Sequence, residues 1–496
     1  MADTANVPHS DDSASEQVHT EATRHEVTGR VVRGAFALGI RQVLVHASNV
    51  GGSILLARLL SPREYGIYAV ITFFIVFLGT FGGTGLAANL IREHPAPAPQ
   101  VYRAVYTLQQ VAVLFFAVVF WALAPLLAHA YHLQSSGPWL FRLTALSLVA
   151  TSAMVPPQIQ MERALNFQRL AYVETAQALC FNITAVVLAW RGFGGISFGI
   201  ALLVRSLIGV AFAYLLQPVS LRWHFDWKLA APHLRYGLYY QSAQILSIVK
   251  DSITPLVIGY LVGSAGVGYL SWAGMIAAYP VLLLTVLQRL YLPAFGRLQS
   301  DPEHYRRFLE QILWATNALA APFAVLLLVL IHPVTVLVFG SKWLVALPLF
   351  YLFWTANLFV PTSTPVQSVL NASGKASWAA LFAAMWMVLT WGLGWPLALW
   401  KGMLGIAIAN ACVQVSNLIV FRVTQRLIPF RIIKVVWKPW ALAISLGLLL
   451  ATLQSIEPAR TIPRLASYSI AAAMLYSTIL VLTNQQRIKR LRTYMG

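Results

Sequence analysis

Lys250 and Asp251 stand side by side near the middle of an otherwise apolar run from Tyr236 to Val262, YGLYYQSAQILSIVKDSITPLVIGYLV. Gln241, Gln244, Ser247, Asp251 and Thr254 recur three or four positions apart, which places them on one face of a helix. A charge at mid-bilayer costs roughly 2.5–3.5 kcal/mol on insertion scales, so it faces a partner or water. Two readings are open. Either the Lys–Asp pair and its polar stripe glue helices together, or they line a polar chamber between two helical halves. Other ionisable groups interrupt apolar stretches: Arg41, His46, Arg142, Glu174 and Arg205. Arg41 and Arg142 are close enough to span ends to snorkel to the interface. Glu174 is placed to pair with Arg169 or Arg163, whereas Arg205 lies deeper, about twelve residues into its span.

The elements that position these groups are membrane spans. Of 496 residues, 58% are hydrophobic and 10% charged, against about 25% charged in soluble domains. Mean hydropathy is +0.68. Hydropathy predicts an all-α integral membrane protein with spans near 34–60, 65–91, 103–130, 138–160, 170–190, 193–218, 235–262, 266–292, 305–332, 343–370, 376–400, 403–425, 433–455 and 463–483. The count of about 14 is checked by charge. With the N-terminus inside, roughly 24 basic residues fall on the cytoplasmic side and about 7 opposite. The net charge of +19 is therefore topological, and no nucleic-acid surface is expected.

The chain divides into a polar cytoplasmic tail (1–33), a six-helix bundle (34–218), a cytoplasmic linker (219–234) and a second six-helix bundle (235–425). Two further spans (426–485) and a basic cytoplasmic tail (486–496) complete it. The six-and-six division predicts pseudo-symmetric bundles around a central cavity. Proline and glycine recur inside the spans, at Gly79, Gly82, Pro156, Pro157, Pro361 and Pro365 among others, as suits a bundle built to bend. Cys180 and Cys412 lie within apolar spans and give no disulfide framework. No metal set or cofactor motif is recognised: His129 and His132 lack a third ligand, and the sequence has no nucleotide-binding P-loop pattern.

The stretches ILLARLLSPREYGIYA (54–69), GLAANLIRE (85–93), ERALNFQRLAYVE (162–174) and KDSITPLVIGYLVGSAGVGYLSWA (250–273) resemble the oligosaccharide flippases. These form the Wzx-type polysaccharide biosynthesis branch of the MOP (multidrug/oligosaccharidyl-lipid/polysaccharide exporter) superfamily. The likeness continues through LPAFGRLQSDPEHYRRF (292–308), HPVTVLVFGSKWLVALPLFYLF (332–353) and LNASGK (370–375), covering about residues 34 to 425. It implies a MATE-like fold of two six-helix bundles, opening alternately to either side of a bacterial inner membrane. The implied cargo is a polyprenyl-diphosphate-linked oligosaccharide for O-antigen or exopolysaccharide synthesis, with a polymerase and glycosyltransferases as partners. Lys250 departs from the family, which usually has an uncharged residue before this aspartate.

With that cargo, Arg41, Arg205 and Lys250 are expected to line the cavity as a cationic cradle for the diphosphate, since paired charge offsets desolvation. Gln241 and Gln244 are expected to meet the glycan, with Tyr239, Tyr240 and Trp272 available for stacking. Asp251 and Glu174 are candidates for H⁺ or Na⁺ coupling, although membrane potential alone supplies about 2.3 kcal/mol per charge per 100 mV. Two alternatives remain. A drug or small-molecule antiporter of the same superfamily fits less well, because a basic cavity repels cationic drugs. A membrane-embedded polysaccharide polymerase or ligase needs a sizeable outward loop, and every outward loop is short. The chain is expected to be a transporter and not an enzyme.

Overall fold

In hydrocarbon every backbone N–H and C=O must find a partner within its own segment, so this sequence builds helices. The computed structural model describes residues 44–81, 90, 98–133, 137–164, 166–219, 223–282, 284, 291, 295, 302–373, 375–485 and 487; for 81, 235–244, 302 and 376 it gives the backbone alone. Among the described residues there is no strand. The first half comprises α1 (44–59), α2 (Pro62–Phe81), α3 (Pro99–Ala130), α4 (Gly137–Ala153), α5 (Val155–Arg163), α6 (Phe167–Trp190) and α7 (Ile196–Leu216). In the second half are α8 (Trp227–Asp251), α9 (Ser264–Leu282), α10 (Pro302–Val334), α11 (Leu347–Asn357), α12 (Val360–Ala372), α13 (Ala376–Lys401), α14 (Met403–Val415) and α15 (Asn417–Leu427). Helices α16 (Ile432–Ile456) and α17 (Ile462–Thr483) follow the second half.

Among the described residues, twelve spans are long and apolar enough to cross a bilayer; α4–α5, α11–α12 and α14–α15 each count as one broken span. With α1 and the more polar α8 they make the expected fourteen. Helix α8 differs from its prediction at both ends. It starts at Trp227, where the Asp226 side chain caps the N–H groups of Lys228 and Leu229, so it takes up part of the stretch read as linker. At the far end it stops at Asp251 and gives way to a π turn, Thr254–Ile258. Pro255 has no N–H to offer the Asp251 carbonyl, which interrupts the ladder.

The halves meet along α3 and α8, where Leu234 packs against Val105 and Ile159, and again where α1 ends and α2 begins. Helices α2 and α9 cross at Gly66 and Gly268. A Cβ on Gly66 would lie 1.6 Å from the Ser264 carbonyl oxygen, and one on Gly268 2.0 Å from that of Pro62. Only glycine allows two backbones this close. Trp343, fully buried, donates its Nε1–H to the Ala57 carbonyl (2.9 Å) and stacks on Trp272 with centroids 5.3 Å apart. Trp272 is thus a junction residue, enclosed where no sugar can stack on it. Lys342 Nζ donates to the carbonyls of Arg58 (2.8 Å) and Leu60 (2.6 Å), capping the end of α1. Arg58 in turn donates to Leu337 O (3.0 Å), within the π turn that ends α10. Each half closes the other's helix end with a cation. The last two helices pack on α10, through Trp440 Nε1 to Asn317 Oδ1 (2.9 Å) and the Tyr476 hydroxyl to Ala318 O (3.0 Å).

Candidate functional site

Spans four and ten break at corresponding places in the two halves. The first stops at Ala153 and restarts as Val155-Pro156; the second stops at Asn357 and restarts as Val360-Pro361. A proline in the first turn of a helix loses nothing, because that N–H has no intrahelical acceptor. Span twelve breaks again at Ser416, whose hydroxyl turns back to Val413 O (2.6 Å). Broken helices near the bilayer middle are how transporters build binding sites, since they free backbone and side-chain polar groups within the membrane.

Three second-half breaks, at Ser252, at Leu358–Phe359 and at Ser416, adjoin one cavity of about 350 Å³. Its polar wall includes Ser247 and Lys250 from α8, Gln367 from α12, Thr390 from α13, Asn410 from α14 and Asn417 from α15. Helix α13 is held against α8 by Trp391 Nε1 donating to Val249 O (2.8 Å). Trp386 forms one side, its ring fixed by a hydrogen bond to Ser416 Oγ (3.1 Å). Asn417 is 2% exposed and donates to Gln414 Oε1 (2.9 Å), yet its own Oδ1 has no partner among the described residues. Among the described residues, no Asp or Glu lines this cavity.

The predicted residues are dispersed. Lys250 and Asp251 do pair, side chain to side chain. Lys250 also faces the cavity, whereas Asp251 is not among its lining and is 64% exposed. Arg205 belongs to the first half, exposed on α7 within electrostatic reach of Tyr68, and does not share the cavity with Lys250. Glu174 is half-buried on α6 and has a contact of its own; Glu162 of α5 lies within electrostatic reach. Arg41 and the side chains of Gln241, Gln244, Tyr239 and Tyr240 lie outside the described residues. Thr254, in the π turn, no longer continues the α8 stripe. The sequence reading missed Gln367, Thr390, Asn410, Gln414 and Asn417. A signal for three of them was present: Asn410, Gln414 and Asn417 follow at spacings of four and three within an apolar span.

Two half-bundles with matched broken spans and two appended helices define a polytopic transporter fold. The sequence matches the family described as "Polysaccharide biosynthesis protein" over residues 55–348, more than half its length. The chain belongs to that family. It is 24% identical to the succinoglycan biosynthesis transport protein ExoT of Rhizobium meliloti (strain 1021), over 88% of this chain and 90% of that one. To the lipopolysaccharide biosynthesis protein WzxC of Escherichia coli (strain K12) it is 23% identical, over 79% and 80%. The fold is that of the lipid II flippase MurJ in its inward closed conformation: TM-score 0.74, covering 91% of this chain and 99% of MurJ at 14% identity.

Proposed function

We propose that this protein flips a polyprenyl-diphosphate-linked oligosaccharide from the cytoplasmic to the outer leaflet of a bacterial inner membrane, for cell-surface polysaccharide assembly. The observation that carries the reading is the junction between the halves. In a chain of the polysaccharide biosynthesis family, a seam of glycine, tryptophan and two reciprocal cation caps closes the halves together at one end. Such a seam can part and re-form, which is what alternating access requires. Both termini lie in the cytoplasm, as the loop charges imply, and the partners are the glycosyltransferases that build the cargo and the polymerase that consumes it. The chain itself catalyses no reaction. The cation-drug alternative loses ground because the second-half cavity has no carboxylate among its described lining residues.

Charge assigns the roles. Arg205, with Arg41 in the same half, meets the diphosphate; Lys250 is already half-neutralised by Asp251. H⁺ or Na⁺ coupling is assigned to Glu174, which lies within electrostatic reach of a second carboxylate, Glu162, so that a cation would relieve their mutual repulsion. The test is reconstitution in vesicles with labelled polyprenyl-diphosphate glycan, scored by exposure of the glycan to an impermeant glycosidase. The wild type moves the lipid, Arg205→Ala slows it about tenfold or more, and Glu174→Gln removes any response to an imposed ion gradient. A wild-type rate no faster than protein-free vesicles sinks the reading.

A further inference from the structure

The second-half cavity has a chemistry of its own, and counting its charges narrows what it can hold. A diphosphate needs several cations to leave water, and Lys250, the one cation among the described lining residues, is already bonded to Asp251. A metal or sodium ion wants converging oxygen atoms with a carboxylate among them, away from an ammonium; the described wall has no carboxylate and has an ammonium. What remains is neutral hydrogen-bonding capacity. Ser247, Gln367, Thr390 and Asn410 line the space, and their side chains make no hydrogen bond to any described residue. Beside these groups stand the fixed ring of Trp386 and the apolar Val360, Ala383 and Val413.

Mixed donors and acceptors next to an aromatic face match one class of ligand, a sugar ring, whose hydroxyls both donate and accept while its C–H face is apolar. We infer that the cavity between α8, α12, α13 and α14–α15 is a sugar-binding site, seating one ring of the cargo's glycan while the diphosphate is held elsewhere. A volume of about 350 Å³ is at the small end of ligand pockets, roughly 300–1,000 Å³, which favours a single ring over a chain. The inference rests on the flippase reading for the identity of the cargo, but not for the existence of the site.

Two measurements test it. In a background with Cys180 and Cys412 replaced by serine, Asn410→Cys is labelled with a small thiol reagent in detergent. Polyprenyl-diphosphate disaccharide should slow the labelling about tenfold, and polyprenyl diphosphate without sugar should leave it unchanged. In vesicles, the Gln367→Leu/Asn410→Leu variant should flip the disaccharide lipid about tenfold more slowly than wild type, as loss of two neutral hydrogen bonds implies. Equal protection by both lipids, protection by sodium ions alone, or no protection overturns the assignment. So does a wild-type flipping rate in the double variant. If the wild type flips nothing and the disaccharide lipid still selectively protects the Asn410→Cys variant from labelling, the site stands and the transport reading falls.

Discussion

At the scale of single residues, Lys250 and Asp251 decide between glue and machinery. The pair is bonded, yet Lys250 also opens onto the polar cavity. Removing either partner leaves the other charge within a membrane span, a cost of roughly 2.5–3.5 kcal/mol on insertion scales if lipid surrounds it. Their partial exposure, 33% for Lys250 and 64% for Asp251, reduces that figure through solvent screening. Lys250→Met and Asp251→Asn are each expected to lower the thermal midpoint of the purified protein, and the double variant to recover most of the loss. Transport separates the roles. If Lys250 meets cargo, the stable double variant remains slow; full transport in the double variant makes the pair purely structural. The sequence revealed the pair and its cost. It did not reveal the partners across the cavity, because neutral Asn, Gln and Thr in apolar spans are commonplace and only the fold brings those of α12–α15 to one space.

Among the elements, the helix ends at the junction carry the switch. Lys342 closes the end of α1 and Arg58 the end of α10, so each bond must break when the halves part. Charge-assisted hydrogen bonds of this kind are worth about 1.5–3 kcal/mol each before solvent screening. The Arg58→Ala/Lys342→Ala variant should therefore spend more time open at this end. A cysteine at Ser53, which sits half-buried at 3.4 Å from the Tyr279 hydroxyl, should react with an impermeant thiol reagent roughly fivefold faster or more. An unchanged labelling rate would show that these caps do not hold the halves together. Element count was legible from hydropathy and loop charge, because span length and the positive-inside bias are properties of the chain alone. The breaks were only half legible. Pro156 and Pro361 were visible, but a proline in a membrane helix more often kinks than divides it. The early start of α8 was hidden because its first turns, WKLAAPHLR, are polar and amphipathic.

For the whole molecule, alternating access requires that the two halves rock about a shared cargo, with the glycine crossing of Gly66 and Gly268 closed in one state and parted in the other. The close approach of these backbones is set by contacts far apart in the chain and could not be read from either glycine alone. Tying the halves together at this end tests the requirement directly. In the background lacking Cys180 and Cys412, Arg58→Cys and Lys342→Cys are joined by a short bifunctional thiol reagent with a cleavable centre. Flipping of polyprenyl-diphosphate glycan is then measured before and after cleavage. Rocking halves predict that cross-linked protein moves no glycan and that cleavage restores the rate of the uncross-linked pair. Undiminished flipping by fully cross-linked protein would contradict them.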